Sequence, residues 1–422
     1  MTPYLLPALR DCGAYAWEVT QTRTQGWEFY FIRHLLDQHR VREVTHTTVR
    51  ILTLSEDGTE VGSASSEIQE SADEQETRDL LDRLLFQSSL VRNPAYTLHA
   101  PSPVKPMDLP VPDVASMARD FIQTMQRLPE TEYEDINSYE IFVNLKTRHF
   151  MNSEGIDLTE TFPSSMMEVV VNARQDGHEI ELYRSYTSGS CDPDALVRDL
   201  TDTLRYGRDR LAAQMTPEIQ TSPLLLSTKD AVEVYRYFSE RMSANMKYQR
   251  LSDWELGQVV TESKLTLKAL REMPNSSENH AFDAEGAPIR DLVLIDQGKA
   301  VAFWGSRQYA EYLGIHDAFI AGNFAIEDGG ETEAALRSTP YLEVVEFSDF
   351  QVDELTGDIA GEIRLGYWHD GETVRIVSGG SVSGNMREAP LRFSADRRQY
   401  DSFRIPAVTR LEGIHITGIA GA

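Results

Sequence analysis

The sequence is poor in cysteine. Cys12 and Cys191 are the only two in 422 residues, and they lie far apart. The aspartates that follow Cys191 tend to raise the pKa of its thiol, which counts against a reactive nucleophile. We therefore interpret both residues as ordinary free thiols of a reducing compartment.

Basic residues and long apolar runs are also scarce. Forty Lys and Arg stand against 67 Asp and Glu, for a net charge of -27. Such a field repels phosphate backbones and anionic lipids, so we expect neither direct nucleic-acid binding nor membrane binding. No apolar run of about 18 residues occurs, and the first residues, MTPYLLPALRDCG, lack a signal-peptide pattern. The sequence predicts a soluble, cytoplasmic protein.

A complete histidine motif for a metal is absent from the sequence. His34 and His39 have HxxxxH spacing, but Leu35 takes the position of the general base, so water activation has no proton acceptor. We interpret the pair as the polar edge of an amphipathic helix over residues 27–39. His178 precedes a glutamate, but the alternating pattern after it indicates a strand that starts at an Asp-Gly turn.

The length predicts two domains, because a single core rarely serves 422 residues. Helical character stops near residues 217–222, so we predict domains over 1–216 and 217–422. The fold class is α+β, with an N-terminal α/β domain of antiparallel strands and helices and a mostly-β C-terminal domain rich in glycine turns, ending in residues 413–419.

Periodicity also predicts the main elements of the N-terminal domain. Asp192, with Pro193 after it, is a typical start for a long helix. The proline-rich residues 93–112 form an extended loop or a linker. The predicted elements are strands over 44–54 and 60–67, helices over 72–88, 114–127 and 192–215, a hairpin of 139–146 with 148–152, and a hairpin of 166–173 with 179–186.

The most informative segment is residues 357–391, which reads TGDIAGEIRLGYWHDGETVRIVSGGSVSGNMREAPL from Thr356. Apolar residues alternate over 361–367 and 373–377, and His-Asp-Gly between them supplies tight-turn chemistry, so the pattern predicts an antiparallel hairpin. The loop over residues 378–385 follows. Its glycines and its asparagine allow backbone conformations that bring main-chain groups close to a strand or a ligand.

Three blocks resemble the PmbA/TldD family and occur in the family order. The C-terminal block contains Thr356-Gly357-Asp358, Gly361, Asp370-Gly371-Glu372 and Ser383-Gly384-Asn385. The middle block runs from Phe282-Asp283-Ala284-Glu285-Gly286 through Asp296-Gln297-Gly298 to Tyr312-Leu313-Gly314. A weaker block is Asn152-Ser153-Glu154-Gly155. The resemblance implies a curved or barrel-like C-terminal sheet.

Catalytic TldD-type members of this family are zinc peptidases with an HExxxH helix and a later cysteine ligand, and this chain departs from that pattern. The helix that the resemblance assigns, residues 230–241 after an apolar strand over 223–226, contains no histidine. Arg236 and Arg241 stand where imidazoles are expected, and a guanidinium offers no lone pair to a metal. The resemblance therefore implies no catalytic and no metal residue here, with zinc only on a TldD-like partner.

Three groups of residues are candidates for a site, and each has a structural alternative. Arg236 and Arg241, with Arg271, form either an anion-binding rim or a solvated helix face. The 378–385 loop either pairs with an extended peptide through its main chain or simply connects strands. Aromatic residues line a cleft, or they fill a core or a subunit interface. The loop candidates are Gly379, Gly380, Ser381, Ser383, Gly384 and Asn385, and the aromatic ones are Trp304, Tyr309, Tyr312, Tyr367 and Trp368.

The resemblance implies a metal-free PmbA/TldE-like subunit of a TldD/TldE-type metalloprotease that cleaves unfolded or modified peptides. Such a subunit supplies chamber walls and a dimer interface, with a TldD-like catalytic subunit or a second copy as its partner. Two alternatives stay open. One is a homodimeric peptide-binding or scaffold protein without catalysis, and the other is a self-sufficient peptidase with a non-standard site.

Overall fold

The computed structural model describes residues 1–327 and 329–418, and its first half is built on one antiparallel sheet. The helices here are α1 (Leu5–Asp11), α2 (Glu74–Ser89), α3 (Val114–Met125) and α4 (Pro193–Leu211). The strands are β1 (Ala16–Ile32), β2 (Leu35–Leu54), β3 (Glu60–Ile68), β4 (Asn93–Pro94), β5 (Glu134–Asn152), β6 (Asp157–Gln175) and β7 (His178–Ser188).

The sheet has the strand order β4-β3-β2-β1-β5-β6-β7. The helix predicted over residues 27–39 is wrong, because these residues form the end of β1 and the start of β2. Trp27, Phe29 and Phe31 alternate by two and pack on one core, which is the period of a strand. The predicted break near Thr147 is also wrong. β5 runs through it unbroken, because Thr147 pairs with β1 on one side and β6 on the other.

The helices α1 to α4 cover parts of this sheet. Leu5 of α1 and Leu81 of α2 are buried with residues of β1 and β2, while Phe121 of α3 and Leu200 of α4 are buried with residues of β5 and β6. The prediction that Asp192 caps α4 is confirmed, since its side chain accepts from the backbone N–H of Ala195 at 3.0 Å. The helix ends at Leu211, four residues earlier than predicted.

The second half contains shorter strands and helices. The helices are α5 (Thr228–Arg241), α6 (Ala244–Tyr248), α7 (Arg307–Tyr312) and α8 (Glu333–Leu336). The strands are β8 (Gln214–Met215), β9 (Gln220–Leu226), β10 (Thr266–Leu270), β11 (Leu292–Asp296), β12 (Lys299–Ala300), β13 (Asn323–Glu327), β14 (Tyr341–Val352), β15 (Asp358–His369), β16 (Val374–Ser378), β17 (Ser381–Asn385), β18 (Leu391–Phe393), β19 (Arg397–Tyr400), β20 (Phe403–Pro406) and β21 (Thr409–Thr417).

Five of these strands close into a barrel. The order β14-β9-β21-β17-β15 is continuous, and β15 pairs again with β14, which closes the ring. Leu224, Val344, Ile363, Val382 and Ile414 from the five strands are buried in one core. The α+β fold class and the barrel-like C-terminal sheet are therefore confirmed, and the predicted hairpin of β15 and β16 is present.

A second C-terminal sheet has the order β12-β11-β10-β13-β20-β19. Helix α5 packs against β14 of the barrel and against β19 and β20 of this sheet. Ala231, Val234, Tyr235 and Phe238 of α5 are buried in the core that the two layers share. Within the described residues, no helix is long and apolar enough to cross a membrane.

The division of the chain near residue 217 stays a proposal. β8 lies before this point but pairs in parallel with β16, so the C-terminal layer already begins at Gln214. The predicted C-terminal domain includes residues 328 and 419–422, which lie outside the described residues. The last residue of its predicted final strand, Ile419, is one of them.

Candidate functional site

Helix α5 does not present its arginines as one rim. Arg241 is fully buried, donates to the carbonyl oxygens of Glu354 at 3.2 Å and Leu355 at 3.0 Å, and forms an ion pair with Asp253. Its guanidinium also lies 5.0 Å from the Trp254 ring centroid. The rim interpretation is therefore wrong for Arg241, which is a structural cation between α5 and two loops.

Arg236 and Arg271 are engaged in other places. The Arg236 guanidinium donates to Glu233 at 2.9 Å, which matches the solvated-helix-face alternative. Arg271 donates to the carbonyl oxygen of Lys105 at 2.9 Å and lies 3.3 Å from Asp108. Arg271 therefore holds the proline-rich segment and does not meet Arg236.

The glycine-rich loop is mostly a barrel strand. Residues 381–385 pair with β15 on one side, and residues 381–383 pair with β21 on the other. The main chain of Ser381 and Ser383 is thus paired on both sides within the barrel, so the prediction that these two residues pair with a peptide through the backbone is wrong. Gly384 is paired with β15 on one side only, and for it the prediction stays a prediction. Asn385 donates from Nδ2 to the Thr356 carbonyl oxygen at 3.1 Å, which fastens the end of the strand.

The glycines of this segment serve barrel closure. Gly379 and Gly380 have φ of 82° and 85°, a region that favours glycine, and they form the turn between β16 and β17. A Cβ on Gly380 would collide with the carbonyl oxygen of Thr417, and one on Gly384 would lie 2.7 Å from Ile414 Cδ1. Contact of these residues with a peptide through other groups stays a prediction.

The residues of this chain do not fit a zinc site of the HExxxH type. Helix α5 has no imidazole, and in the part of the chain that the structure describes no group of three or more His, Cys, Asp and Glu could hold a metal ion. His34 Nε2 lies 2.9 Å from Glu130 Oε2, and His39 stacks on Phe29 with 4.7 Å between ring centroids. These histidines belong to a turn and a strand.

The aromatic candidates are divided among several places. Trp304 donates from Nε1 to the Ser239 carbonyl oxygen at 2.8 Å, so it fixes the end of α5. Tyr309 and Tyr312 cluster with Tyr248, whereas Tyr367 donates to Asp209 at 2.7 Å. Trp368 packs against the barrel core. They do not line one common cleft.

The structure instead forms a cleft of about 400 Å³ between the N-terminal sheet and the C-terminal layers. Two sheet edges meet there, because β7 is the last strand of its sheet and β19 is the last strand of the six-stranded sheet. Main-chain groups on an edge strand are the ones that an added strand can pair with. The residues that line the cleft include Arg184, Tyr186, Thr187, Ser188, Asp199, Tyr206, Lys229, Arg398 and Tyr400.

A buried charged group forms one wall of the cleft. Arg184 of β7 and Glu346 of β14 have side chains only 6% and 7% exposed, and the guanidinium Nη1 donates to Glu346 Oε2 at 3.1 Å. Lys229 Nζ lies 3.6 Å from Glu346 and 3.8 Å from Asp230. Burial raises the pKa of Asp230 to about 6, while the Lys229 ammonium opposes this shift and the Glu346 carboxylate adds to it.

Two tyrosines line the cleft. The Tyr186 hydroxyl donates to Asp199, and burial raises the pKa of Tyr186 well above its ordinary value, with Asp199 adding to the effect. The Tyr400 hydroxyl donates to the Ser185 carbonyl oxygen at 3.4 Å, and burial raises the pKa of Tyr400 to about 12. Both phenols therefore stay neutral, and Tyr400 occupies an acceptor of strand β7.

Cys191 lies close to this region as an inert thiol. Burial raises its pKa to about 12, and the sequence argument from nearby aspartates contributes less than burial does. Its sulfur lies 3.8 Å from the Thr124 hydroxyl. Both cysteines are free, as the sequence interpretation requires.

Sequence reasoning missed the cleft because its walls come from distant segments. Arg184 and Glu346 are 162 residues apart, and Tyr400 and Ser185 are 215 apart. The predicted strand over 179–186 gives no local sign that it lies at an edge, because Ile180 and Leu182 alternate with Glu179 and Glu181 as in any half-buried strand.

Residues 220–418 match the model of the PmbA/TldA metallopeptidase C-terminal domain, and no curated protein sequence gives a match. TldE from Thermococcus kodakarensis is 14% identical, with a TM-score of 0.76 over 98% of this chain and 99% of that chain. A proposed modulator of DNA gyrase from Thermotoga maritima is 13% identical, with a TM-score of 0.77 over 98% of each chain.

A second proposed modulator of DNA gyrase, from Bacteroides thetaiotaomicron, is 15% identical, with a TM-score of 0.76 over 99% of this chain and 97% of that chain. At these sequence identities, the similarity to the three structures shows the fold alone. The family model covers residues 220–418, which include all five barrel strands. The resemblance to the PmbA/TldD family is thus confirmed: residues 220–418 match the model of its C-terminal domain, and the chain as a whole has the fold of these three structures.

Proposed function

We propose that this chain is the metal-free subunit of a two-chain peptidase complex of the TldD/TldE type. A TldD-like partner carries the zinc, the general base and the cysteine ligand. The present chain contributes chamber walls, an interface and a place for unfolded or modified peptide. The fold, which this chain shares with TldE from Thermococcus kodakarensis over 98% of its length, supports these separate roles for the two chains.

The observation that carries the proposal is the condition of helix α5. At the position that the resemblance assigns to a metal ligand, Arg241 is fully buried between the carbonyl oxygens of Glu354 and Leu355 and the carboxylate of Asp253. A guanidinium has no lone pair to offer a metal, and a buried cation is stable only with such partners, so Arg241 fixes α5 against the two loops. On this proposal the helix has a structural role in the present chain.

Co-expression with a chain of the same genome that carries HExxxH tests the proposal. We expect a stable complex with both chains in equal amounts, zinc on the partner, and cleavage of a disordered peptide that neither chain performs alone. Stoichiometric zinc on the isolated chain, or cleavage of the peptide by it, would overturn the proposal.

The cleft between β7 and β19 favours a second candidate, a peptide-binding protein without catalysis. On either proposal, an extended peptide adds to the edge of β7, where the Tyr400 hydroxyl now competes for the Ser185 carbonyl oxygen. A hydrogen bond of this kind contributes about 0.5–1.5 kcal/mol. Because Tyr400→Phe removes the hydroxyl that competes with the peptide, it should tighten peptide binding by about 2- to 10-fold. Fluorescence anisotropy with a labelled, end-blocked peptide measures the change.

Tyr4→Phe is the matched control, because Tyr4 is exposed and remote from the cleft. Equal affinity of the two variants would exclude the β7 edge as the peptide site. Peptide binding without any complex with an HExxxH chain would select the second candidate.

A further inference from the structure

One edge of the N-terminal sheet is left without a neighbour. Strand β2 pairs with β1 over residues 35–52, apart from Asp37, but β3 pairs only with residues 47–54 of β2. No other strand of the described ranges 1–327 and 329–418 pairs with residues 35–46, which we name the free edge. At about 3.3 Å per residue, it extends for about 40 Å. Alternate main-chain groups along an antiparallel edge point outward, available to another strand.

Exposure changes abruptly where the covering strand ends. Val49 and Ile51, beside β3, are fully buried, whereas every residue from 32 to 43 is exposed. Leu35 is 78% and Val41 is 72% exposed, and Ile32 and Leu36 exceed half. Monomeric proteins rarely expose several apolar side chains along an unpaired strand edge, because such an edge tends to associate with other chains. This exposure indicates a surface that another chain covers.

The charge of the free edge indicates what covers it. Within residues 35–46, Arg40 and Arg42 stand beside Asp37 and Glu43, so the free edge is neutral overall in a chain whose net charge is -27. Glu43 is already ion-paired with Arg23 of β1. Arg40 and Arg42 are two residues apart and therefore point to the same face of the strand. A strand with acidic residues at this spacing is complementary to them, whereas a basic strand is repelled.

A bulge gives the free edge a specific shape. The pairing shifts between Tyr30 and Phe31, which leaves Asp37 as an extra residue of β2. A cavity of about 310 Å³ opens beside it, lined by Tyr30, Ile32, Gln38 and Arg40 together with residues of β5. The bulge and the arginines discourage indiscriminate pairing, and the cavity can take one side chain of a specific partner.

We infer that the free edge is the docking surface for the second chain of the complex, which adds an acidic strand along residues 35–46 and covers Leu35 and Val41. This inference rests on the proposed function and deepens it, since it names the surface by which the TldD-like subunit is recognised. Main-chain bonds supply the pairing, and the arginines set the choice of partner.

Hydrogen–deuterium exchange of the isolated chain and of the purified complex tests this assignment. We expect amides of residues 35–46 to be protected at least 10-fold more in the complex. The double variant Arg40→Glu, Arg42→Glu should weaken the complex at least 10-fold. Its control is Arg78→Glu, Arg83→Glu, which makes the same change of charge on the exposed face of α2 and should leave affinity unchanged.

The outcomes separate this inference from the proposed function. A complex that forms while residues 35–46 keep their fast exchange overturns the docking surface only. Protection of these residues in a dimer of this chain alone identifies a second copy as the occupant and overturns the assignment to the TldD-like subunit. Failure to form any complex with an HExxxH chain overturns both the proposed function and the inference.

Discussion

Arg184 of β7 and Glu346 of β14 join the N-terminal sheet to the barrel through a buried ion pair, although 162 residues separate them in the chain. Lys229 at the start of α5 lies 3.6 Å from the same carboxylate. Strands β7 and β14 and helix α5 therefore all depend on the carboxylate of Glu346. Substitutions that leave one of these buried charges without a partner should destabilise the chain.

Glu346→Gln is expected to destabilise the chain by about 3–5 kcal/mol, because it leaves the buried Arg184 guanidinium without its counter-charge. Chemical denaturation at pH 7 measures the loss. Glu74→Gln is the matched control, because Glu74 pairs with Arg78 on an exposed helix face and such pairs contribute about 0.3–0.5 kcal/mol. Similar losses for the two variants would show that the pair does not join the layers.

Asp230→Asn is expected to stabilise the chain at pH 8 but not at pH 4. Burial raises the pKa of Asp230 from 3.8 to about 6, so the folded state binds its proton more tightly than the unfolded state does. The contribution of protonated Asp230 to the free energy of unfolding is fully present below about pH 4 and is lost as the pH rises through 6. The gain at pH 8 should approach about 3 kcal/mol.

Urea unfolding of both proteins at pH 4 and pH 8 measures this difference. A gain of the same size at both values would mean that the substitution acts through packing and not through ionisation.

Gly380→Ala is expected to destabilise the barrel strongly. Gly380 has φ of 85°, and a Cβ there meets the carbonyl oxygen of Thr417 in the neighbouring strand. Gly58→Ala is the control, with φ of 75° and nothing within 4 Å of its Cβ, so it carries only the left-handed backbone cost of about 1–2 kcal/mol. Thermal unfolding compares them, and equal losses would contradict a steric role for Gly380.

Cys191 is expected to resist thiol reagents in the folded chain, because its thiol is buried and its pKa is raised to about 12. A coloured disulfide reagent should modify Cys12 alone at pH 8, and Cys191 only after denaturant is added. The Cys12→Ser variant isolates the slow thiol. Rapid modification of that variant without denaturant would contradict the burial of Cys191.

Local patterns predict several elements of this fold well. The capping of α4 by Asp192, the alternation in β15 and β16, and the Asp-Gly turn before β7 are short-range signals, and each depends on neighbouring residues alone. The hairpin of β1 and β2 is harder to predict, because His34 and His39 can be taken as the polar edge of a helix, while Trp27, Phe29 and Phe31 alternate as a strand does.

The site is harder to predict because its chemistry depends on long-range pairing. Residues 381–385 look like a loop, since glycine and serine have weak strand preference, and only their pairing with β15 and β21 makes them a strand. The absence of imidazole in α5 is evident from the sequence, but the burial of Arg241 is not. Burial depends on Asp253 and on the carbonyl oxygens of a loop more than a hundred residues away.

Cleavage of one disordered peptide by four samples is the most direct test of the central claim. The samples are this chain, a co-encoded HExxxH chain, their purified complex, and a complex whose partner has lost its HExxxH histidines. We expect cleavage by the intact complex alone, with zinc in that sample and none bound stoichiometrically by this chain. Cleavage by the isolated chain, accompanied by one bound zinc per chain, would contradict it.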